Sequence, residues 1–321
     1  MTSKSEELFA NWNRPRWWRN TAIPYMFKRL CQSISPHFYS PEKQPTPLMH
    51  ENWDNAIILD GCRYDLFKEA NNFEQPLGYR ITPGSATPEF LHANFSKGEY
   101  HDTVYVTANP MYRTQGLDDV FHEVIDVWKD DWDDDLKTVR PEKMVGYTIS
   151  AQVEYPNKRI LSHFMQPHYP FIGDLSEELG DHSGYELTYR KVTNGEATRD
   201  NPTVWERLKW GELDRENVWD AYRENLELTF PHVREIVREL NGKTVLTSDH
   251  GNLLGERPFR YWKKMYGHPA GVRCDQLNKV PWIVFEGENK KMITAEAPNS
   301  TKSEPTETVS NRLSDLGYAD I

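Results

Sequence analysis

One stretch constrains the chain more than any other: Lys243-Thr244-Val245-Leu246-Thr247-Ser248-Asp249-His250-Gly251-Asn252. A short apolar run that ends in an acid, a histidine and a glycine is the pattern of a buried strand delivering two metal-binding side chains at its carboxyl end. Asp-His-Gly on its own is also ordinary turn composition. It gains weight from a second run of the same kind, Ala56-Ile57-Ile58-Leu59-Asp60-Gly61. In open α/β sheets ligands bind beyond the carboxyl ends of such strands, which is where Asp60 falls. Arg63 and Asp65 follow it, placed either to meet a substrate or to make an ordinary ion pair at a helix start.

Between these two runs the chain alternates strand and helix patterns. Thr103–Thr107, Val120–Trp128 and Arg159–Met165 read as strands, and Val280–Phe285 as a last, edge-proximal one. Arg215–Leu240 has helical spacing, with Pro231 expected to kink or split it. The expectation is a three-layer α/β/α sandwich with a mostly parallel central sheet. A chain of 321 residues is long enough to bury such a core.

Several loops carry chemistry-bearing residues. In Thr82-Pro83-Gly84-Ser85-Ala86-Thr87-Pro88, Pro88 marks a first helical position, and Thr87 is either its cap or a hydroxyl nucleophile at the amide-rich helix start. His168 sits in the proline-fixed loop Gln166-Pro167-His168-Tyr169-Pro170, while His163 reads as a core or supporting histidine. Asn252–Arg273 is a long loop whose aromatic residues argue for order, and it contains His268. The acidic run Asp126–Asp135 lacks the glycine and oxygen spacing of a calcium loop and reads as a solvated turn.

A net charge of −11 excludes the usual basic footprint of a nucleic-acid binder. It leaves an anionic substrate open, because a metal can supply positive charge locally. The three scattered cysteines form no disulfide framework or zinc knuckle, and no run approaches a membrane span, so a cytoplasmic location is expected. Residues 1–48 form an aromatic and basic arm. It either packs across the body or touches an anionic membrane surface, which would put the chain peripherally on the inner face. Residues 49–290 form the main domain, and 291–321 a linker and tail with a short helix at Thr308–Leu316.

Taken together, Ile58-Leu59-Asp60-Gly61-Cys62-Arg63-Tyr64-Asp65, His168-Tyr169-Pro170-Phe171, Ser248–Glu256 and Tyr266-Gly267-His268 resemble the alkaline phosphatase superfamily. The likeness is to its sulfatase-like branch of sulfatases, phosphoethanolamine transferases and phosphoglycerol transferases. The resemblance implies Asp60, Asp249 and His250 as metal ligands and Thr87 as nucleophile, with Ser85 second because the local spacing departs from the usual pattern. It implies His168, His268 and Arg63 at the substrate, and zinc or manganese as one or two divalent ions. The Cys-x-Pro-x-Arg of formylglycine sulfatases is absent. The implied function is hydrolysis or transfer of phosphate or sulfate esters through a covalent intermediate, on a glycan or lipid headgroup. The alternative is a non-catalytic glycan- or ligand-binding protein on the same fold.

Overall fold

A computed structural model describes residues 12–14, 18, 22–180, 189–190, 192–193, 201–287 and 290–298. Pro15 and the expected helix at Thr308–Leu316 lie outside the described residues. The centre is a seven-stranded sheet. Its strands are β1 (Asn55–Asp60), β2 (Gly78–Ile81), β3 (Tyr100–Thr107), β4 (Phe121–Asp126), β5 (Arg159–Pro167), β6 (Thr244–Ser248) and β7 (Lys279–Phe285). Across the sheet they run β2-β7-β6-β1-β5-β3-β4. The five from β6 to β4 are parallel, and β7 is antiparallel to both β6 and β2.

The alternation of side chains along a strand makes the three layers. In β1, Ile57 and Leu59 enter one apolar cluster while Ala56 and Ile58 enter the other. Val104 and Val106 of β3 go one way and Tyr105 the other; Leu246 and Val245 of β6 divide likewise. The first cluster is closed by α2 (Tyr64–Ala70), α4 (Pro141–Glu154), α5 (Val204–Trp210) and α6 (Arg215–Glu239). The second is closed by α3 (Thr87–Phe95), through Phe90, Leu91 and Phe95. With both faces covered, the central strands need continuous apolar runs, which is why β1 and β6 are legible in the sequence.

Two local expectations are corrected. The strand expected to reach Trp128 ends at Asp126, and Val127–Asp130 form a helical turn. That turn puts the consecutive residues Val127 and Trp128 into the same cluster, which a strand would send to opposite faces. Of the kink or split expected at Pro231, the split does not occur: α6 is one helix over 25 residues with Pro231 inside it. Pro231 and Glu227, whose carbonyl loses its amide partner, are both exposed, which leaves that carbonyl open to solvent rather than stranded in the core.

A helix α1 (Ile23–Phe38) precedes the sheet and packs on the segment 259–273. Past β7, residues 290–298 return to the opposite, amino end of the strands. There Lys291 Nζ donates to Asn55 Oδ1 at 2.7 Å, and the Thr294 and Glu296 amides bond to the Asn157 and His101 carbonyls.

Candidate active site

The site forms beyond the carboxyl ends of β1 and β6. Leu59 is in register with Ser248, so Asp60 and Asp249 leave the sheet side by side. Gly61 turns the chain at φ +65°, and a Cβ there would stand 2.8 Å from Asn252 Nδ2 and 3.2 Å from His168 Cδ2. At Gly251 a Cβ would stand 2.2 Å from the Gln276 carbonyl oxygen. Both motif glycines are therefore required by close approach of other groups, and Gly61 by its backbone angle as well.

Thr87 opens α3 as its first residue, with Ala86 as cap and no capping hydrogen bond from a side chain. Its hydroxyl instead donates to Asp249 Oδ2 at 2.9 Å and lies 3.1 Å from His250 Nε2. Asp249 Oδ1 accepts the Gly61 amide at 2.8 Å and the His250 amide at 2.7 Å. His250 Nε2 stands 3.4 Å from Asp249 Oδ2 and 3.8 Å from Asp60 Oδ1. Asn109, two residues beyond β3, donates to Asp60 Oδ2 at 2.6 Å.

The tautomer of His250 follows from its other nitrogen. Nδ1 lies 2.9 Å from the Gly251 carbonyl oxygen, a contact only an N–H can satisfy, so Nε2 carries the lone pair toward the two carboxylates. Burial pushes the His250 imidazole down to about 4, which keeps it neutral. Burial raises the Asp249 carboxyl; His163, whose Nε2 is 3.9 Å away, and the hydrogen bonds pull the other way.

This geometry fits a divalent cation. Among the described residues, Asp60, Asp249 and His250 bring one ligand atom each within 4.8 Å of one another, all buried. Bonds of about 2.0–2.2 Å in a tetrahedral site separate ligand atoms by roughly 3.3–3.6 Å. The observed 3.4 and 3.8 Å lie close to that spacing, and Thr87 Oγ1 lies 2.9 Å from Asp249 Oδ2 and 3.1 Å from His250 Nε2. A mixed carboxylate and imidazole set suits zinc or manganese better than calcium.

The other sequence candidates divide. His168 and His268 approach His250: the His268 ring centroid is 4.7 Å from that of His250 and 5.0 Å from that of His168. His168 Nδ1 faces the Tyr169 carbonyl at 2.6 Å, and His268 Nδ1 faces Asn252 Oδ1 at 2.8 Å. Ser85 turns away, with its hydroxyl 2.9 Å from Glu89 Oε2 and accepting from Arg273 Nη1 at 2.9 Å. The Arg63 guanidinium is buried and committed to protein partners: both Asp65 oxygens, Glu256 Oε1 at 2.7 Å and the Asn252 carbonyl at 2.9 Å. It braces the turn that carries Asn252.

Three residues of the site escape a reading of the sequence. Asn109 had a faint signal, a polar residue just past a strand and before Pro110. Asn252 directly follows the Asp-His-Gly motif, and its amide reaches the Gly61 carbonyl at 3.0 Å and the Tyr222 hydroxyl at 3.1 Å. Tyr222 itself had none: it occupies a core position on α6, and only the fold reveals that its hydroxyl donates to the Gly61 carbonyl.

No protein-family model and no curated protein matches the chain. Among solved structures it is similar to the soluble domain of lipooligosaccharide phosphoethanolamine transferase A from Neisseria meningitidis, at 11% identity and a TM-score of 0.46, over 73% of this chain and 76% of that one. It is similar to the C-terminal periplasmic domain of a phosphoethanolamine transferase from Campylobacter jejuni, at 13% identity and a TM-score of 0.46, over 82% and 88%. A protein in the alkaline phosphatase superfamily from Vibrio parahaemolyticus matches at 9% identity and a TM-score of 0.37, over 91% and 74%.

The expected cytoplasmic location is corrected beside them, since the Campylobacter structure is a periplasmic domain. The cysteine argument behind that expectation also fails on physical grounds. Cys31, Cys62 and Cys274 are free and buried, and burial raises each thiol above its usual range, so their being unpaired is no sign of a reducing compartment. No helix among the described residues is long and apolar enough to cross a membrane.

Proposed function

We propose that the chain is a metal-dependent enzyme that transfers or hydrolyses phosphate or sulfate esters through a covalent intermediate on Thr87. The observation that carries this reading is the Thr87 hydroxyl, released from helix capping and held within 3.1 Å of both Asp249 Oδ2 and His250 Nε2. A threonine hydroxyl needs its proton removed or its alkoxide stabilised to act as a nucleophile at neutral pH. Asp60, Asp249 and His250 would hold the divalent ion, zinc or manganese, which supplies alkoxide stabilisation and polarisation of the ester.

In the proposed reaction the bond from Thr87 Oγ1 to phosphorus or sulfur forms as the bond to the ester oxygen breaks. The hydroxyl proton, directed at Asp249 Oδ2 in the resting site, is released to solvent as the nucleophile forms, because a carboxylate oxygen that holds the ion is a poor base. Amides at the start of α3 face the transferred group's oxygens. Burial holds the His168 imidazole neutral, so delivery of a proton to the leaving oxygen falls to the half-buried His268. Water or a second hydroxyl then releases the group from Thr87. The branch resemblance and the Trp/Arg arm favour a glycan or lipid headgroup as substrate.

Metal analysis of the purified chain, with turnover of p-nitrophenyl phosphate and p-nitrophenyl sulfate, tests the reading. Bound zinc or manganese and turnover that is abolished in both Thr87→Ala and Asp249→Ala are expected. Full turnover in both variants would remove these residues from the chemistry.

A further inference from the structure

The helix α1 is turned the wrong way round for a helix that only packs on its own protein. Ile23, Met26, Phe27 and Leu30, spaced to share one face, are 42%, 60%, 38% and 49% exposed. The inward face is instead Cys31 and Ser35, which meet Met265, Gly271 and Arg273. A solvent-facing aliphatic stripe of this kind calls for a partner.

The loop 257–264 extends the same surface. Trp262 meets Phe27 edge-on at 6.1 Å, Phe259 stacks on Phe38 at 5.1 Å, and Lys263 Nζ sits 3.9 Å above the Phe27 ring. Tyr261 at the tip is 83% exposed, with the Arg260 guanidinium over its ring. Arg257, Arg260, Lys263 and Lys264 are exposed, and no Asp or Glu lies between Arg257 and Cys274 or within α1. In a chain of net charge −11, this is a cationic region joined to an aliphatic stripe.

The loop is also the tip of a hairpin rooted in the site. Leu253–Leu254 pair antiparallel with Tyr266–Gly267, and just inside that base Asn252 and His268 are hydrogen-bonded at 2.8 Å. This loop is thereby continuous with the strand pair that carries Asn252 and His268.

We propose that α1 and loop 257–264 form one docking surface for an anionic lipid bilayer. Aliphatic side chains enter the acyl boundary, tyrosine and tryptophan sit at headgroup level, and arginine and lysine meet lipid phosphates. A nucleic acid would use the cations but offers no bed for the aliphatic stripe. A second copy of the chain would set like charges against one another. The suggestion that docking presents lipid headgroups to the site rests on the ester-cleaving reading above; the docking itself does not.

Co-sedimentation of the full chain with vesicles tests this, comparing phosphatidylcholine mixed with phosphatidylglycerol against phosphatidylcholine alone. Binding to the anionic vesicles that weakens with added salt is expected. Lys264→Ala should lower the partition coefficient about fivefold, the effect of one cation near an anionic leaflet. Met26→Gln with Leu30→Gln should lower it about tenfold or more through lost apolar burial. Because these side chains face solvent, both variants should keep the parent's circular dichroism and its turnover of soluble p-nitrophenyl phosphate. Equal binding to both vesicle types, binding unchanged in the variants, or no binding with self-association in sedimentation velocity would each overturn the proposal. Vesicle binding without turnover would leave the surface standing and remove the enzymatic reading, and the reverse result would do the opposite.

Discussion

Replacing Asp249 by asparagine separates a metal-binding carboxylate from a structural one. The side chain is fully buried. In the variant the amide oxygen still accepts the Gly61 and His250 amides, and the new NH₂ points at Thr87 Oγ1 and at the His250 Nε2 lone pair, 3.4 Å from the present oxygen. Three charge-assisted hydrogen bonds become neutral ones, a loss of about 1 kcal/mol each. Against that, the cost of keeping a buried charge disappears, and neutral replacement of buried charges commonly recovers about 1–4 kcal/mol. The terms nearly cancel, so the metal-free variant should unfold within about 5 °C of the parent. The response to zinc should differ sharply. At about 100 times its Kd, a ligand that binds only the folded chain adds about 2.7 kcal/mol, which for a chain of this size is about 4 °C. Differential scanning fluorimetry with and without zinc should show that rise in the parent and none in Asp249→Asn. An undiminished zinc response in the variant would refute the ligand assignment, and a metal-free variant more than about 10 °C less stable would show that the carboxylate serves the fold instead.

Other perturbations have equally definite outcomes. Ser85→Ala should keep turnover within about threefold of the parent, because Ser85 faces Glu89 and Arg273 rather than the carboxylates; a loss as deep as that of Thr87→Ala would move the nucleophile. Gly251→Ala should cost about 3 kcal/mol in urea unfolding, since its Cβ would overlap the Gln276 carbonyl, whereas Gly116→Ala, with open space around it, should cost only about 1 kcal/mol for its positive φ. The metal-free chain should lose stability between pH 7 and 5. His163 and His250 are held at about 4 by burial, against the 6.5 of an exposed histidine, so the unfolded state binds protons the folded state refuses. Their contribution is complete above about 6.5 and is lost as pH falls toward 4, with Asp249, whose carboxyl is raised, opposing it. In His163→Gln the slope should be shallower by up to about 1.4 kcal/mol per pH unit; an unchanged slope would show that His163 is not held neutral.

The legible parts of the fold were those where burial demands a pattern. β1 and β6, covered on both faces, need unbroken apolar runs, and their acids fall at the strand ends. β2, at the sheet edge with Gly78 and Arg80 in it, has no such demand and left no run to find. The end of β4 depended on Asp126, which accepts from the Tyr112 hydroxyl and the Trp128 indole once the fold has brought them there. In the site, Thr87 was visible because a hydroxyl residue before proline announces a helix start. What the sequence could not show is that the hydroxyl leaves the cap for Asp249. Arg63 illustrates the opposite limit: its charge suggests an anion, but its direction is fixed by Glu256, far along the chain.

The most direct test of the central claim is peptide mass mapping of the zinc-loaded chain, quenched in acid during turnover of p-nitrophenyl phosphate. The account expects one phosphoryl group on the peptide containing Thr87, localised to that residue by fragmentation and absent from Thr87→Ala. Turnover with no modified Thr87, or with the phosphoryl group on Ser85 or a histidine, would contradict it.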